Sequence, residues 1–174
     1  MDLTGRGIWS EGDRIAVACS DGSFVEFELN GTGETKRAIF TGDIPEGKTL
    51  GRVAVWPATA VVGMDGDNLT VKVPTEYSTD GLAYDGVMVA NISDSWEITF
   101  RHVLARPTFV LRNYPSAASY LTLEADGKSL GGRLSLDVNS ENGIVATNGS
   151  QILKVETPSA GTTISFTVNM PVYE

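Results

Sequence analysis

The chain of 174 residues is poor in the groups from which catalytic and metal centres are usually assembled. It holds one cysteine, Cys19, and one histidine, His102. A single thiol excludes an internal disulfide framework and a cysteine-rich zinc site, leaving Cys19 to act as a small buried apolar residue. Basic residues are also scarce, 13 against 22 acidic ones, for a formal charge of −9. A surface of that sign repels phosphate backbones, and no basic cluster offsets it, so nucleic acid is excluded as an expected partner. No apolar run approaches the roughly 20 residues needed to cross a bilayer. Ala16-Val17-Ala18-Cys19 has the outline of a lipoprotein cleavage site, but Glu11 and Asp13 precede it and the apolar run is too short for a signal. Sustained 3.6-residue periodicity is missing too, and 19 glycines and seven prolines work against long helices. At most a helical turn is expected, near Arg101–Ala105.

What remains is strand and turn. Short apolar runs recur at Ile15–Cys19, Phe24–Leu29, Ala38–Phe40, Val53–Trp56, Leu69–Val73, Val87–Ala90, Trp96–Phe100, Phe109–Leu111, Tyr120–Leu123, Leu134–Val138, Ile152–Val155 and Ile164–Val168. Between them lie Asp21-Gly22, Asn30-Gly31, Asp65-Gly66, Asp80-Gly81, Asp126-Gly127, Asn142-Gly143 and Asn148-Gly149, pairs that accept the positive φ of tight turns. This alternation predicts an all-β fold, a two-sheet and mainly antiparallel β-sandwich filling residues 1–174 as one domain. A chain of roughly 150 residues buries about 68–70% of its unfolded surface, enough for a core without cross-links. Trp96, Ile98 and Phe100 alternate with Glu97, Thr99 and Arg101 as in a half-buried strand, which Pro107 then interrupts by a bulge or at a sheet edge. Residues Thr75–Tyr84 read as a long surface loop.

Candidate sites are few. Catalysis of the Ser-His-Asp or Cys-His kind would have to be built on His102, and a lone histidine beside a strand reads as a packed structural residue. Asp65, Asp67 and Asn68 have the oxygen-rich start of a calcium loop, but the glycine and distal glutamate of that loop are misplaced, and an Asx-rich hairpin turn is expected instead. No catalytic, cofactor or metal residues are expected. Aromatic rings offer faces for sugar stacking. Trp56 and Trp96 read as core, whereas Tyr77 and Tyr84, in the loose loop, are the candidate surface contacts. Glycosylation sequons at Asn30, Asn68, Asn91 and Asn148 matter only in a eukaryotic secretory pathway.

Read in order, W-S-E-G-D-R-I-A-V (Trp9–Val17), A-I-F-T-G (Ala38–Gly42), V-A-V-W-P (Val53–Pro57), L-T-V-K-V-P-T (Leu69–Thr75), V-M-V-A-N (Val87–Asn91) and I-T-F-R-H-V-L-A (Ile98–Ala105) form a succession. It resembles the N-terminal domain of the fimbrillin-like proteins of Bacteroidales, the major, anchor and tip subunits of surface pili. The resemblance implies a transthyretin-like Greek-key sandwich, a non-enzymatic structural or adhesive role without cofactor, and assembly by β-strand addition to other pilus subunits. Host or bacterial surface glycans or proteins would be further partners. It also implies an extracellular, outer-membrane-associated location, with membrane contact only through a lipid anchor that these residues do not contain. The usual C-terminal domain is likewise not among them, so the expectation is a trimmed fragment or a single-domain member. By the family's scheme, proteolysis after an arginine opens the acceptor groove, and Arg6 is the candidate cut site. The terminal strand, with Ile164, Phe166 and Val168 on its apolar face, is the first-choice exchange edge, the strands after Trp9 the second. The alternative reading is a cell-surface carbohydrate-binding β-sandwich module.

Overall fold

A computed structural model describes residues 9–79, 86–115, 117–140, 144–157 and 162–171, with side chains for all of these except 33–35 and 144–148. The strands are β1 (Trp9–Ser10), β2 (Arg14–Cys19), β3 (Phe24–Asn30), β4 (Gly33–Thr35), β5 (Ile39–Thr41) and β6 (Leu50–Trp56). They continue with β7 (Val61–Asp65), β8 (Asn68–Val73), β9 (Glu76–Ser78), β10 (Met88–Asn91), β11 (Arg101–His102) and β12 (Thr108–Arg112). The last are β13 (Tyr120–Glu124), β14 (Gly131–Asp137), β15 (Ile144–Ser150), β16 (Ile152–Glu156) and β17 (Thr163–Thr167). The fold is all-β and mainly antiparallel, as the turn spacing predicts; the pairing of β16 with β9 is parallel.

Two layers enclose the main core. One is the six-stranded sheet β11-β10-β6-β2-β3-β5, the other the four-stranded sheet β15-β14-β8-β7. Val53, Val55 and Val89 of the first meet Leu69, Val71, Val73 and Leu134 of the second, all nearly or fully buried. β-Branched residues at every second position suit this packing, because their stiff side chains stand off the pleat toward the facing sheet. A second core lies between the pair β12-β17 and the sheet β13-β16-β9. There Phe109 and Phe166, partners across the β12-β17 ladder, stack at 5.4 Å. Leu153, Val155 and Ile164 complete this core. The two regions are continuous along the chain. β8 passes through Pro74 and Thr75 into β9, where the Lys154 amide donates to the Thr75 carbonyl at 2.9 Å.

The turn chemistry explains the hairpins. Gly66, at φ 57°, sits with Asp67 between the paired ends Asp65 and Asn68 of β7 and β8, so the acidic cluster in MDGDN is a two-residue turn. Asp21 closes the β2-β3 turn by accepting from the Ser23 amide at 3.1 Å. Asn148-Gly149 is not a turn: both residues lie inside β15. A Cβ on Gly149 would come within 1.9 Å of the Gly131 carbonyl oxygen, so this glycine serves the close approach of β14. Cys19 is buried and carries a free thiol.

Three other expectations are corrected. Trp96–Phe100 is not a strand; Trp96 has φ 59° and only Ile98 forms a bridge, to Ile92. Arg101–His102 is strand rather than a helical turn, because these residues pair with Val89 and Met88. The helical turn among the described residues is a 3-10 turn at Ala58–Ala60, entered through Pro57, whose fixed φ suits the first position of such a turn. The stretch 75–84 is not loop throughout, since β9 lies within it; residues 80–85 lie outside the described residues. Pro107 falls in the break between the Ala105–Met170 bridge and the start of β12, and β12 has a ladder on one side only among the described residues.

Candidate functional site: an apolar groove

Strand β2 shows why a site exists. Its residues Ile15 to Cys19 are all buried, so no face of the strand meets water. Ala18 faces the main core, while Ile15 and Val17 face the other side of the six-stranded sheet with Ala54, Ala90 and Ile92. That outer side has no second sheet over it. It is covered in part by aromatic residues from irregular segments: Trp9 meets Phe40, Phe100 and Trp56 edge-on at 5.0, 5.5 and 6.1 Å. The Trp56 indole N–H donates to Asp13 Oδ1 at 3.2 Å, which orients the ring and gives its polar edge a partner.

The cover is incomplete. A groove of about 500 Å³ opens over Ile15, Val17, Phe27, Leu50 and Ile92. One wall is the segment from Lys36 to Phe40, the opposite wall the segment from Trp96 to Phe100, and Trp9 also lines it. Lys36 and Arg37 are exposed adjacent cations on the first wall, and Glu97 is the carboxylate on the second. Trp96 is 52% exposed, and the Arg52 guanidinium lies over its ring at 5.7 Å. Arg52 is itself fixed by the Ser93 carbonyl at 2.8 Å and Asp94 at 2.6 Å. Trp96 occupies the left-handed region, which is strained for a bulky residue. The groove suits apolar side chains at its floor and a charged or planar polar group at its rim.

The structure distributes the sequence-derived candidates unevenly. Tyr77 is not a surface contact. It is packed in the second core on β9, where its hydroxyl donates to the Asn169 carbonyl at 3.1 Å and accepts from the Asn169 amide at 3.2 Å. Burial pushes its phenol above the ordinary value, against the smaller opposite effect of the Asn169 backbone. Trp96, read from the pattern as core, is the exposed aromatic instead. Tyr84 and Arg6 lie outside the described residues. Ile164, Phe166 and Val168 are buried in the second core, and β17 has a ladder to β12 alone. None of the three lines the groove. His102 is exposed on β11 rather than packed.

Two polar clusters bear on chemistry. Ser23 Oγ lies 2.6 Å from Asp21 and 2.8 Å from Lys48 Nζ, a Ser-Lys-Asp arrangement on the surface. Lys48 also bonds the Asp21 carboxylate, and this contact raises the lysine pKa and holds the Asp21 carboxyl far below the usual range. An ammonium held protonated cannot take a proton from Ser23, so the trio works as a clasp between the β2-β3 turn and the chain before β6. Among the described residues no group of three or more His, Cys, Asp or Glu is placed to hold a metal ion. No described helix is long and apolar enough to cross a membrane.

The groove residues Ile15, Val17, Phe27 and Phe40 were hidden in the sequence as ordinary core. The available signal was the absence of a polar face on the run Ile15–Cys19, which demands cover on both sides of its sheet. Comparison with known proteins gives no match to a family model, a curated protein or a solved structure.

Proposed function

We propose that this protein is a structural or adhesive subunit of a bacterial cell-surface pilus, without enzymatic activity or cofactor, which accepts an extended strand from a neighbouring subunit. The observation that carries the reading is the groove over Ile15, Val17 and Phe27, an apolar sheet face walled on two sides and open between them. In strand addition, main-chain hydrogen bonds supply affinity and pockets for alternate side chains supply specificity. The motif succession from Trp9 to Ala105 adds the resemblance to fimbrillin-like N-terminal domains of transthyretin-like build. On that scheme the subunit sits outside the cell in an outer-membrane-linked fibre, and a cut after Arg6 would fall just before the groove residue Trp9. Immunogold labelling of filaments sheared from the producing bacterium tests this: labelled fibres are expected, and label confined to the cell interior overturns it.

A second reading, a cell-surface carbohydrate-binding module, draws on the exposed indole of Trp96 at the groove rim. Glycan-array binding by the purified chain that is lost in Trp96→Ala favours this alternative over the pilus reading.

A further inference from the structure

The wall from Trp96 to Phe100 carries a strand pattern without a sheet. Ile98 and Phe100 pack on the outer apolar cluster, and Thr99 between them is exposed. Beyond the Ile98–Ile92 bridge and the Glu97 carbonyl accepting from the Ser93 amide at 3.3 Å, this segment belongs to no ladder among the described residues. An alternating segment without cross-strand neighbours forgoes the pairing that stabilises sheets, and its exposed amides and carbonyls form a template for another strand. Strand β17 offers less, because its apolar side chains already fill the second core.

Charge selects the occupant. The chain as a whole carries −9, yet the groove sets the adjacent cations Lys36 and Arg37 against the single carboxylate Glu97. At about 3.3 Å per residue, four acceptor residues match an incoming stretch of similar length. We infer that residues 97–100 are the acceptor edge for an extended strand of a neighbouring subunit, whose alternate apolar side chains enter the groove and whose terminal carboxylates meet Lys36 and Arg37. This rests on the strand-accepting reading above, and adds to it the edge and the chemistry of the donor.

The test uses the full chain and three blocked peptides: alternating valine and threonine ending in two glutamates, the same ending in two lysines, and a scrambled version of the first with its valines together. Hydrogen exchange at saturating glutamate peptide should slow the amides of Ile98–Phe100 roughly tenfold. The lysine peptide should bind at least about threefold more weakly at low ionic strength, and the gap should close near 1 M salt, where the Debye length is about 3 Å. Thr99→Pro, which removes a donor from an exposed position, should abolish the protection. The double variant Lys36→Glu with Arg37→Glu should reverse the charge preference, and it checks the inference even if the proline variant does not fold. Protection that appears only along β5, β12 or β17 overturns the inference and leaves the strand-accepting reading standing. Protection already complete without peptide at every protein concentration also overturns it, since the chain would then cover its own edge. No protection anywhere with any peptide removes both.

Discussion

Tyr77 and Asn169 are joined twice, the phenol hydroxyl donating to the Asn169 carbonyl at 3.1 Å and accepting from the Asn169 amide at 3.2 Å. The two residues are 92 positions apart, so this pair ties β9 to the segment that follows β17. Tyr77→Phe keeps the ring and removes both bonds, leaving the backbone of a residue only 1% exposed without that partner. A loss of about 1–3 kcal/mol is expected. For a chain of this size that lowers the melting temperature by roughly 2–4 °C per kcal/mol, which calorimetry reads directly.

The same phenol makes stability depend on alkaline pH. Its pKa in the folded chain is raised above the ordinary 10.0, chiefly by burial. The folded state therefore holds this proton more tightly than the unfolded chain does. The contribution is fully present below pH 10 and is lost as pH rises through the folded value. Urea midpoints measured across this range should fall more steeply for the wild type than for Tyr77→Phe. Parallel curves would mean that the other tyrosines, not Tyr77, dominate the alkaline loss.

Asp21 responds at the opposite end of the scale. The Lys48 ammonium, then the Ser23 hydroxyl and amide, hold its carboxyl well below the ordinary range. Its ionised form is favoured in the fold, so the linked stability is present above the usual carboxylate pKa and lost as pH falls through the folded value. A carbon-detected NMR titration should show Asp21 still ionised at about pH 3, where a free aspartate near 3.9 is mostly protonated. In Lys48→Met the Asp21 step should move back toward that ordinary value. An unchanged low step would assign the shift to Ser23.

Periodicity reached most of the sandwich because β-branched alternation and Asx-Gly turns report local geometry that the tertiary fold rarely overrides. Val53–Trp56, Leu69–Val73 and Ile152–Val155 each lie within strands of the structure. It failed where a pattern needs a partner to become a strand: WEITF alternates as well as any segment, but its sheet neighbour is missing among the described residues. Short strands such as Glu76–Ser78 escaped for the converse reason, since their pairing with β16 is decided by a distant ladder rather than by composition. The groove escaped because apolar residues read as core whether a second sheet covers them or not. Tyr77 and Trp96 exchanged roles on that account.

The glycine at Asn148-Gly149 gives a sharp contrast. A Cβ on Gly149 meets the Gly131 carbonyl oxygen at 1.9 Å, and both atoms belong to strand backbone that cannot yield cheaply. Gly63, on β7, has nothing within 4 Å of the same position. Gly149→Ala should cost about 1–3 kcal/mol by overpacking, and Gly63→Ala should be neutral or slightly stabilising through lower entropy of the unfolded chain. Equal effects in chemical denaturation would mean that β14 and β15 separate easily.

Trp96 separates scaffold from recognition. An aromatic residue at φ 59° carries a backbone cost of roughly 1–2 kcal/mol that glycine does not, while the exposed Arg52 contact returns only about 0.5–1 kcal/mol. Trp96→Gly should therefore leave the denaturation midpoint unchanged or slightly raised, although it deletes the largest side chain in its segment. Leu134→Ala, in the fully buried core, should cost about 2–5 kcal/mol on the same scale. A residue whose removal relieves the fold is retained for something other than folding, and the groove it borders is where that purpose would act. If Trp96→Gly destabilises the chain as strongly as Leu134→Ala, the indole is structural cover for the outer face, and both the strand-accepting and the sugar-stacking readings lose their rim.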